Sequence, residues 1–146
     1  MSTRMTKQER EDFLAGVHVG IVCVTEEEHG PHAVPVWYQY EPGGELRFCT
    51  EIRSKKARLI KKASRFSICT QSETSPYKYV SVEGAVTSIE PMDIERDLRP
   101  LAYRYLGSEH GEEYVQSVTN DPGQGSVVIA MRPERWLTED YGKAGS

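Results

Sequence analysis

Thr50-Glu51-Ile52-Arg53-Ser54-Lys55-Lys56-Ala57-Arg58-Leu59-Ile60-Lys61-Lys62-Ala63-Ser64-Arg65 is the stretch that decides the reading of this chain. Seven of the chain's eighteen basic residues fall between Arg53 and Arg65, and no acid interrupts from Ile52 to Ser72. The chain as a whole carries a net charge of -4, so a block of the opposite sign asks for an anion. Phe48, Cys49 and Thr50 read as the end of a strand. Ser54 reads as an N-cap, and Ala57, Leu59, Ile60 and Ala63 supply one apolar helix face. A strand that passes through a Ser-Lys-Lys turn into a helix gathers free backbone N–H groups, a hydroxyl and ammonium groups around one point. Such a corner can hold a phosphate.

Upstream of this corner, Thr6 and Glu9 have capping-box spacing, and Phe13 and Leu14 close a short helix before Gly16. Val17 to Thr25 is rich in β-branched residues and predicts a strand buried on both faces. Ala33 to Tyr40 alternates, with Val34, Val36, Tyr38 and Tyr40 on one side and Ala33, Trp37 and Gln39 on the other. Pro35 cannot donate to a ladder, so this strand belongs at an edge or a bulge. Pro42-Gly43-Gly44 predicts a hairpin turn, with Glu45 to Thr50 as the return strand.

Downstream, Phe66 to Thr70 is a strand, and Tyr77 to Ile89 is a long one in which Gly84 marks a bulge or a close backbone approach. Pro91 opens a helical pattern with Ile94, Leu98, Leu101 and Tyr105 on one stripe, and Pro100 predicts a kink or split in it. A second short helix, Glu109 to Val118, leads to a turn at Asn120-Asp121-Pro122-Gly123. Ser126 to Met131 is a strand that Arg135 to Thr138 continues past Pro133, and the tail from Tyr141 reads as loose. Six or seven strands lie mostly too close together for parallel crossovers. The expected fold is mainly β: a largely antiparallel small barrel with peripheral helices, one domain over residues 1–146.

Composition bounds the function. At 146 residues, with 38% hydrophobic and 27% charged residues, the chain has room for one real core. Its acidity argues against a general nucleic-acid or membrane-surface protein. No apolar run approaches the roughly 20 residues of a membrane span, and the polar segment from Met1 to Arg10 predicts no signal peptide. Cys23, Cys49 and Cys69, without a Cys-x-x-Cys pair, fit a reducing cytoplasm. His29 and His32 lack a third ligand, so no metal site is expected. The acids from Glu90 to Glu113 read as a solvated helix face.

Four pieces taken in order resemble a known family. They are Val34-Pro35-Val36-Trp37-Tyr38, then Leu46 to Thr50 followed by Arg53-Ser54-Lys55-Lys56-Ala57-Arg58, then Arg65 to Cys69, then Tyr79-Val80-Ser81-Val82-Glu83-Gly84-Ala85-Val86. The likeness is to the pyridoxamine-5′-phosphate-oxidase-like split β-barrels, which bind flavin or deazaflavin, and it covers about residues 13 to 139. The Arg-Ser-x-Lys turn is most similar to the branch that uses the deazaflavin coenzyme F420. The FMN branch more often has a Ser-Arg-Lys turn and an Arg-Gln pair before the later Glu-Gly, where this chain has Tyr79-Val80.

The resemblance implies a homodimer with cofactor held between protomers, and the cysteine usage a cytoplasmic one. Ser54, Lys55 and Lys56 would hold its phosphate, with Arg53 and Thr50 nearby. Val34, Pro35, Val36 and Trp37 would lie along the ring, and Tyr79 and Ser81 would reach the same site. Trp136 could join from the second protomer, and Arg58, Lys61 and Lys62 suit the glutamate tail of F420. The implied activity is hydride transfer between reduced F420 and a small planar or unsaturated substrate, with Tyr79 a guess for the proton donor. Two other readings stay open on the same scaffold: an FMN-dependent oxidase or reductase, and a non-catalytic carrier of a flavin or tetrapyrrole. Nucleic-acid binding through the basic helix is disfavoured by the absence of interleaved aromatics.

Overall fold

The computed structural model describes residues 2–120 and 125–144. Helix α1 (Lys7–Ala15) starts as expected: the Thr6 side chain accepts from the Glu9 amide, and the Glu9 carboxylate accepts from the Thr6 amide at 2.8 Å. Strands β1 (Gly20–Val24), β2 (His32–Val36) and β3 (Leu46–Glu51) follow. Then come helix α2 (Lys55–Ala63) and strands β4 (Arg65–Gln71) and β5 (Lys78–Pro91). A π-type turn (Ile94–Leu98) leads into α3 (Arg99–Asn120), and β6 (Ser126–Met131) and β7 (Arg135–Asp140) close the chain. The seven strands form one antiparallel system in the order β2-β1-β4-β5-β6-β3, with β7 also on β5. This is a mainly β split half-barrel with three helices, as the sequence predicts.

The split is made by β5. Its first half, Lys78 to Glu83, pairs with β7 on one side and β4 on the other. Its second half, Val86 to Pro91, pairs with β6 across a register shift between Val86 and Ser88. Gly84 sits at the changeover. A Cβ built there would lie 1.7 Å from the Arg132 carbonyl oxygen, so the backbone leaving β6 presses on a position that tolerates no side chain. Of the two roles expected for Gly84, close approach is the one observed; the irregular register lies just beyond it.

The core fills the space between the two halves. Val22, Tyr38, Leu46, Phe48, Ile60, Ile68, Val80, Val82, Ile129 and Met131 are all fully buried in it. Burying Leu- or Ile-sized side chains stabilises a fold by about 1.5–3 kcal/mol each.

Several expectations are corrected. Strand β1 is shorter than the Val17–Thr25 run and is not buried on both faces. Val22 and Val24 point inward, whereas Ile21 is 38% exposed and Val17 and Val19 more so. The β-branched composition reflects strand propensity, while burial requires a second layer that the described residues do not supply on this side of the sheet. The turn at Pro42–Gly44 forms, with the Gly44 amide on Glu41 O at 2.8 Å, but the return strand meets its predecessor only at the Gln39–Arg47 bridge. Beyond that bridge β3 pairs with β6 along its whole length.

The helical stretch divides just ahead of Pro100, as expected of a split there. The Arg99 amide reaches Ile94 O in a widened turn, and Pro100 follows in the first turn of α3, where its missing donor costs little. The chain breaks again at Gly107, with φ 82 and ψ 174, ahead of the second helix expected from Glu109. Strand β7 does not extend β6; past Pro133 it crosses to the other sheet. The tail is not loose up to residue 144: the Asp140 amide donates to Thr3 O at 2.8 Å, and Lys143 Nζ reaches Glu9 Oε1 at 2.6 Å. Apart from Asn120, which ends α3, the turn expected over residues 120–123 lies outside the described residues. The acids after Glu90 are not all solvated. Asp97 is buried, receiving the Asp93 amide at 2.9 Å and both Nε and Nη2 of Arg96.

Gly84→Ala is expected to destabilise the fold by at least about 2 kcal/mol, because the clash is with backbone rather than a movable side chain. Urea denaturation reads this directly, and an unchanged midpoint would show that β5 can bend elsewhere.

Candidate functional site

Residues 33, 35, 37 and 39 face away from the core while Val36, Tyr38 and Tyr40 anchor into it. That alternation presents Pro35 and Trp37 to a cavity of about 460 Å³. Val36 and Cys49 line it from the strands, Val19 from the segment before β1, and Lys56 from the first turn of α2. Leu98, Leu101 and Tyr114 line it from the helical arm. The cavity is therefore apolar around most of its wall, with Lys56 the one charged residue lining it.

The start of α2 explains that charge. The Ser54 amide donates to Glu51 O at 3.0 Å, and Ser54 Oγ accepts from the Ala57 amide at 3.2 Å. The Lys55 and Lys56 amides have no hydrogen-bond partner among the described residues, as is usual in the first turn of a helix. Ser54 Oγ also shares a hydrogen bond of 3.1 Å with Thr50 Oγ1, and Thr50 is buried. Both hydroxyls are thus engaged in building the corner, and neither residue lines the cavity.

The sequence shows no acid within the basic block, but the fold brings four to it: Glu83 and Glu134 lie beside Arg65, 3.7 and 3.6 Å away, and two more reach the lysines. Lys55 Nζ lies 2.8 Å from Glu26 Oε2, and Lys62 Nζ lies 3.1 Å from Glu27 Oε2, both from the β1–β2 turn. The Lys55 hydrogen bond holds the Glu26 carboxyl below the usual carboxylate range. Among the described residues Arg53, Lys56, Arg58 and Lys61 form no ion pair. Lys56 is the one of the four that lines the cavity.

The remaining expected site residues are placed elsewhere. Val34 packs against the core. Ser81 belongs to a separate shallow cavity of about 340 Å³ with Ser67, Glu83, Arg135 and Leu137. In strand register, Pro35 opposes Ile21, Ile21 opposes Cys69, and Cys69 opposes Ser81. Three strand spacings, roughly 14 Å, therefore separate Ser81 from Pro35 within one chain. Tyr79 lies on the same strand, opposite Gln71 and Glu139, and does not line the Trp37 cavity. Burial, with Tyr141 and Glu139 beside it, pushes its phenol up. Trp136 is a packing residue of its own chain, edge-on to Tyr40 at 6.3 Å and beneath the Arg10 guanidinium at 4.6 Å.

The helical arm supplies what the sequence reading missed. Leu98 and Leu101 lie on the apolar stripe recognised in the sequence, which gave no sign of a cavity beside it. Tyr114 gave no signal, since only the reversal at Gly107 returns it to the cavity. Tyr105 fastens the arm: its hydroxyl donates to His18 O at 2.6 Å and accepts from the Tyr38 amide at 3.2 Å. Its ring stacks on Trp37, centroids 5.2 Å apart and planes 8° apart. Cys49 places a thiol in the wall, and burial pushes it up to about 12, with Asp97 adding to the effect. The thiol stays protonated at neutral pH and is no nucleophile.

The comparisons agree with this architecture. The family profile described as pyridoxamine 5′-phosphate oxidase matches residues 6–140, and the chain belongs to that family. A conserved hypothetical protein from Mycobacterium tuberculosis superposes with a TM-score of 0.77 at 22% identity, over 100% of this chain and 92% of the other. A protein described as an F420 reductase gives 0.68 at 22% identity, covering 87% and 94%. A protein described as FAD-binding, from Mesorhizobium loti, gives 0.59 at 18% identity, covering 92% of each. At such identities the likeness concerns the fold. No curated protein sequence matches this one. Among the described residues no helix is long and apolar enough to cross a membrane, and no group of side chains is arranged to hold a metal ion.

Tyr105→Phe is expected to cost about 1–3 kcal/mol, since it strands the Tyr38 amide while keeping the Trp37 stack. A denaturant titration followed by tryptophan fluorescence measures it; no loss of stability would mean that the arm is held by packing alone.

Proposed function

We propose that the protein is an F420-dependent oxidoreductase that moves a hydride between the deazaflavin and a small planar or unsaturated substrate. The observation that carries this reading is an apolar cavity beside the edge strand, with Lys56 in its lining and no acid paired to that lysine among the described residues. A redox coenzyme with a flat ring and a phosphate needs that combination. The family assignment supports a flavin-type cofactor, and the fold shared with a protein described as an F420 reductase favours the deazaflavin. The absence of an Arg-Gln pair before Glu83-Gly84 points the same way.

Coenzyme F420, when bound, supplies or accepts the hydride. The chain's part is to bind, orient and exclude water. The Lys56 ammonium and the free amides of Lys55 and Lys56 would take the phosphate. Pro35, Val36 and Trp37 would form the wall along the ring, Ser54 and Thr50 would fix the corner, and Arg53 would lie nearby. Lys55 is a weaker contributor than its sequence position implies, because Glu26 already neutralises it.

The homodimer remains part of the proposal. Val17, Val19, Ile21 and Leu137 expose apolar surface on the outer face of the sheet that also carries Cys69 and Ser81. Pairing of two such faces would bring Tyr79 and Ser81 from a second copy towards the cavity of the first. A flavin in place of F420 is the second reading, favoured by the fold shared with a protein described as FAD-binding.

Titration of the purified protein with F420 and with FMN, followed by quenching of tryptophan fluorescence, is expected to show tighter binding of F420; tighter FMN binding overturns the preference. Lys56→Ala is expected to weaken F420 by about tenfold or more, because a charge-assisted hydrogen bond to phosphate is lost. An unchanged dissociation constant would remove Lys56 from the site.

A further inference from the structure

We propose that Glu26 sets the charge accepted at the start of α2. By cancelling Lys55 it fits that corner to a singly charged phosphodiester and turns away a doubly charged phosphate monoester. The proposal deepens the functional reading above and rests on it in taking this corner as the phosphate site.

Two observations carry it. First, the cancellation is built into the fold. Strands β1 and β2 pair from Gly20 with Val36 to Val24 with His32, so the turn between them is fixed at both ends. Within the turn the His29 amide donates to Glu26 O at 3.1 Å, and Glu28 takes a left-handed conformation with φ 65. Glu26 and Glu27 then reach Lys55 and Lys62, at 2.8 and 3.1 Å. Those lysines stand roughly two helical turns apart on one face of α2, so the turn lies along that face. The Glu26 side chain is 20% exposed, against 77% for Glu27, so of the two acids it is the one the fold holds in place. Its carboxyl, kept below the usual range by Lys55, is charged at neutral pH.

Second, what is left at the corner amounts to one charge. With Lys55 cancelled, the first turn of α2 offers the Lys56 ammonium and the unpartnered amides of Lys55 and Lys56. Arg53, Arg58 and Lys61 form no ion pair among the described residues, but none of them lines the cavity. A phosphate monoester carries about -1.5 to -2 at neutral pH. At this corner its second charge would meet no cation and would face the carboxylate that sits on Lys55. The two candidate cofactors differ in this respect. The phosphate of F420 joins the ring's side chain to the glutamate tail and is a diester with one charge, whereas FMN ends in a monoester.

The test uses three ligands with one ring: riboflavin, FMN, and the methyl ester of FMN, which is a phosphodiester. Titration of the full-length chain at neutral pH, followed by quenching of tryptophan fluorescence, is expected to show the methyl ester binding more tightly than FMN. Glu26→Gln should tighten FMN by about three- to tenfold and the methyl ester by no more than about twofold, and should leave riboflavin unchanged. Glu26→Gln combined with Lys55→Gln should return FMN to the parent value, because the charge at the corner is again the same. A merely structural pair would move all three ligands alike. Circular dichroism checks that each variant folds. Tighter parent binding of FMN than of its methyl ester overturns the proposal. So does an FMN affinity that Glu26→Gln leaves unmoved, including no measurable binding in either form, and so does an equal gain for the methyl ester or a gain that persists in the double variant. F420 is titrated in parallel: if the flavins respond as expected while F420 fails to bind, the charge filter stands and the deazaflavin reading falls.

Discussion

Strand β5 has two edges and three neighbours, and the molecule is organised by how that shortage is met. The first half of the strand serves β4 and β7, and the second serves β6. Between them the backbone of Arg132 passes over Gly84 at a distance that excludes a side chain. Because a backbone group cannot be left unpaired in the interior, the changeover has to be completed within a few residues. Without it the two sheets could not enclose a common core, and β3 could not leave β2 to pair with β6. The corner after β3, where α2 begins, is held in place by that pairing.

The cavity follows from the same split. An edge strand whose alternate residues anchor in the core leaves Pro35 and Trp37 facing outward, and a closed barrel would have covered them. The helical arm covers them instead, but incompletely. It is fastened by hydrogen bonds from Tyr105 to the backbone of two different segments, which fix its distance from the sheet. What remains is a largely apolar cavity with Lys56, from the first turn of α2, in its wall.

Charge is redistributed by folding. The basic helix is an uninterrupted block in the chain, yet two of its lysines are neutralised by Glu26 and Glu27 from a turn that precedes it by about thirty residues. Exposed pairs of this kind add little stability. Position then selects among the cations left unpaired, since Lys56 alone of them lines the cavity. A reading that counts charges along the chain overstates the site and blurs its centre.

The sequence by itself determined the elements and the family. Capping at Thr6 and Ser54, alternation through Tyr40, the edge character of Pro35 and the tight spot at Gly84 are local properties, set by side-chain size, missing donors and backbone freedom within a few residues. The tertiary structure alone decided which elements meet. It paired β3 with β6, exposed one face of β1, and brought Tyr114 back beside Trp37. It also separated Ser81 from the cavity by three strand spacings. Those outcomes depend on contacts between residues far apart in the chain, and local propensity carries no term for them.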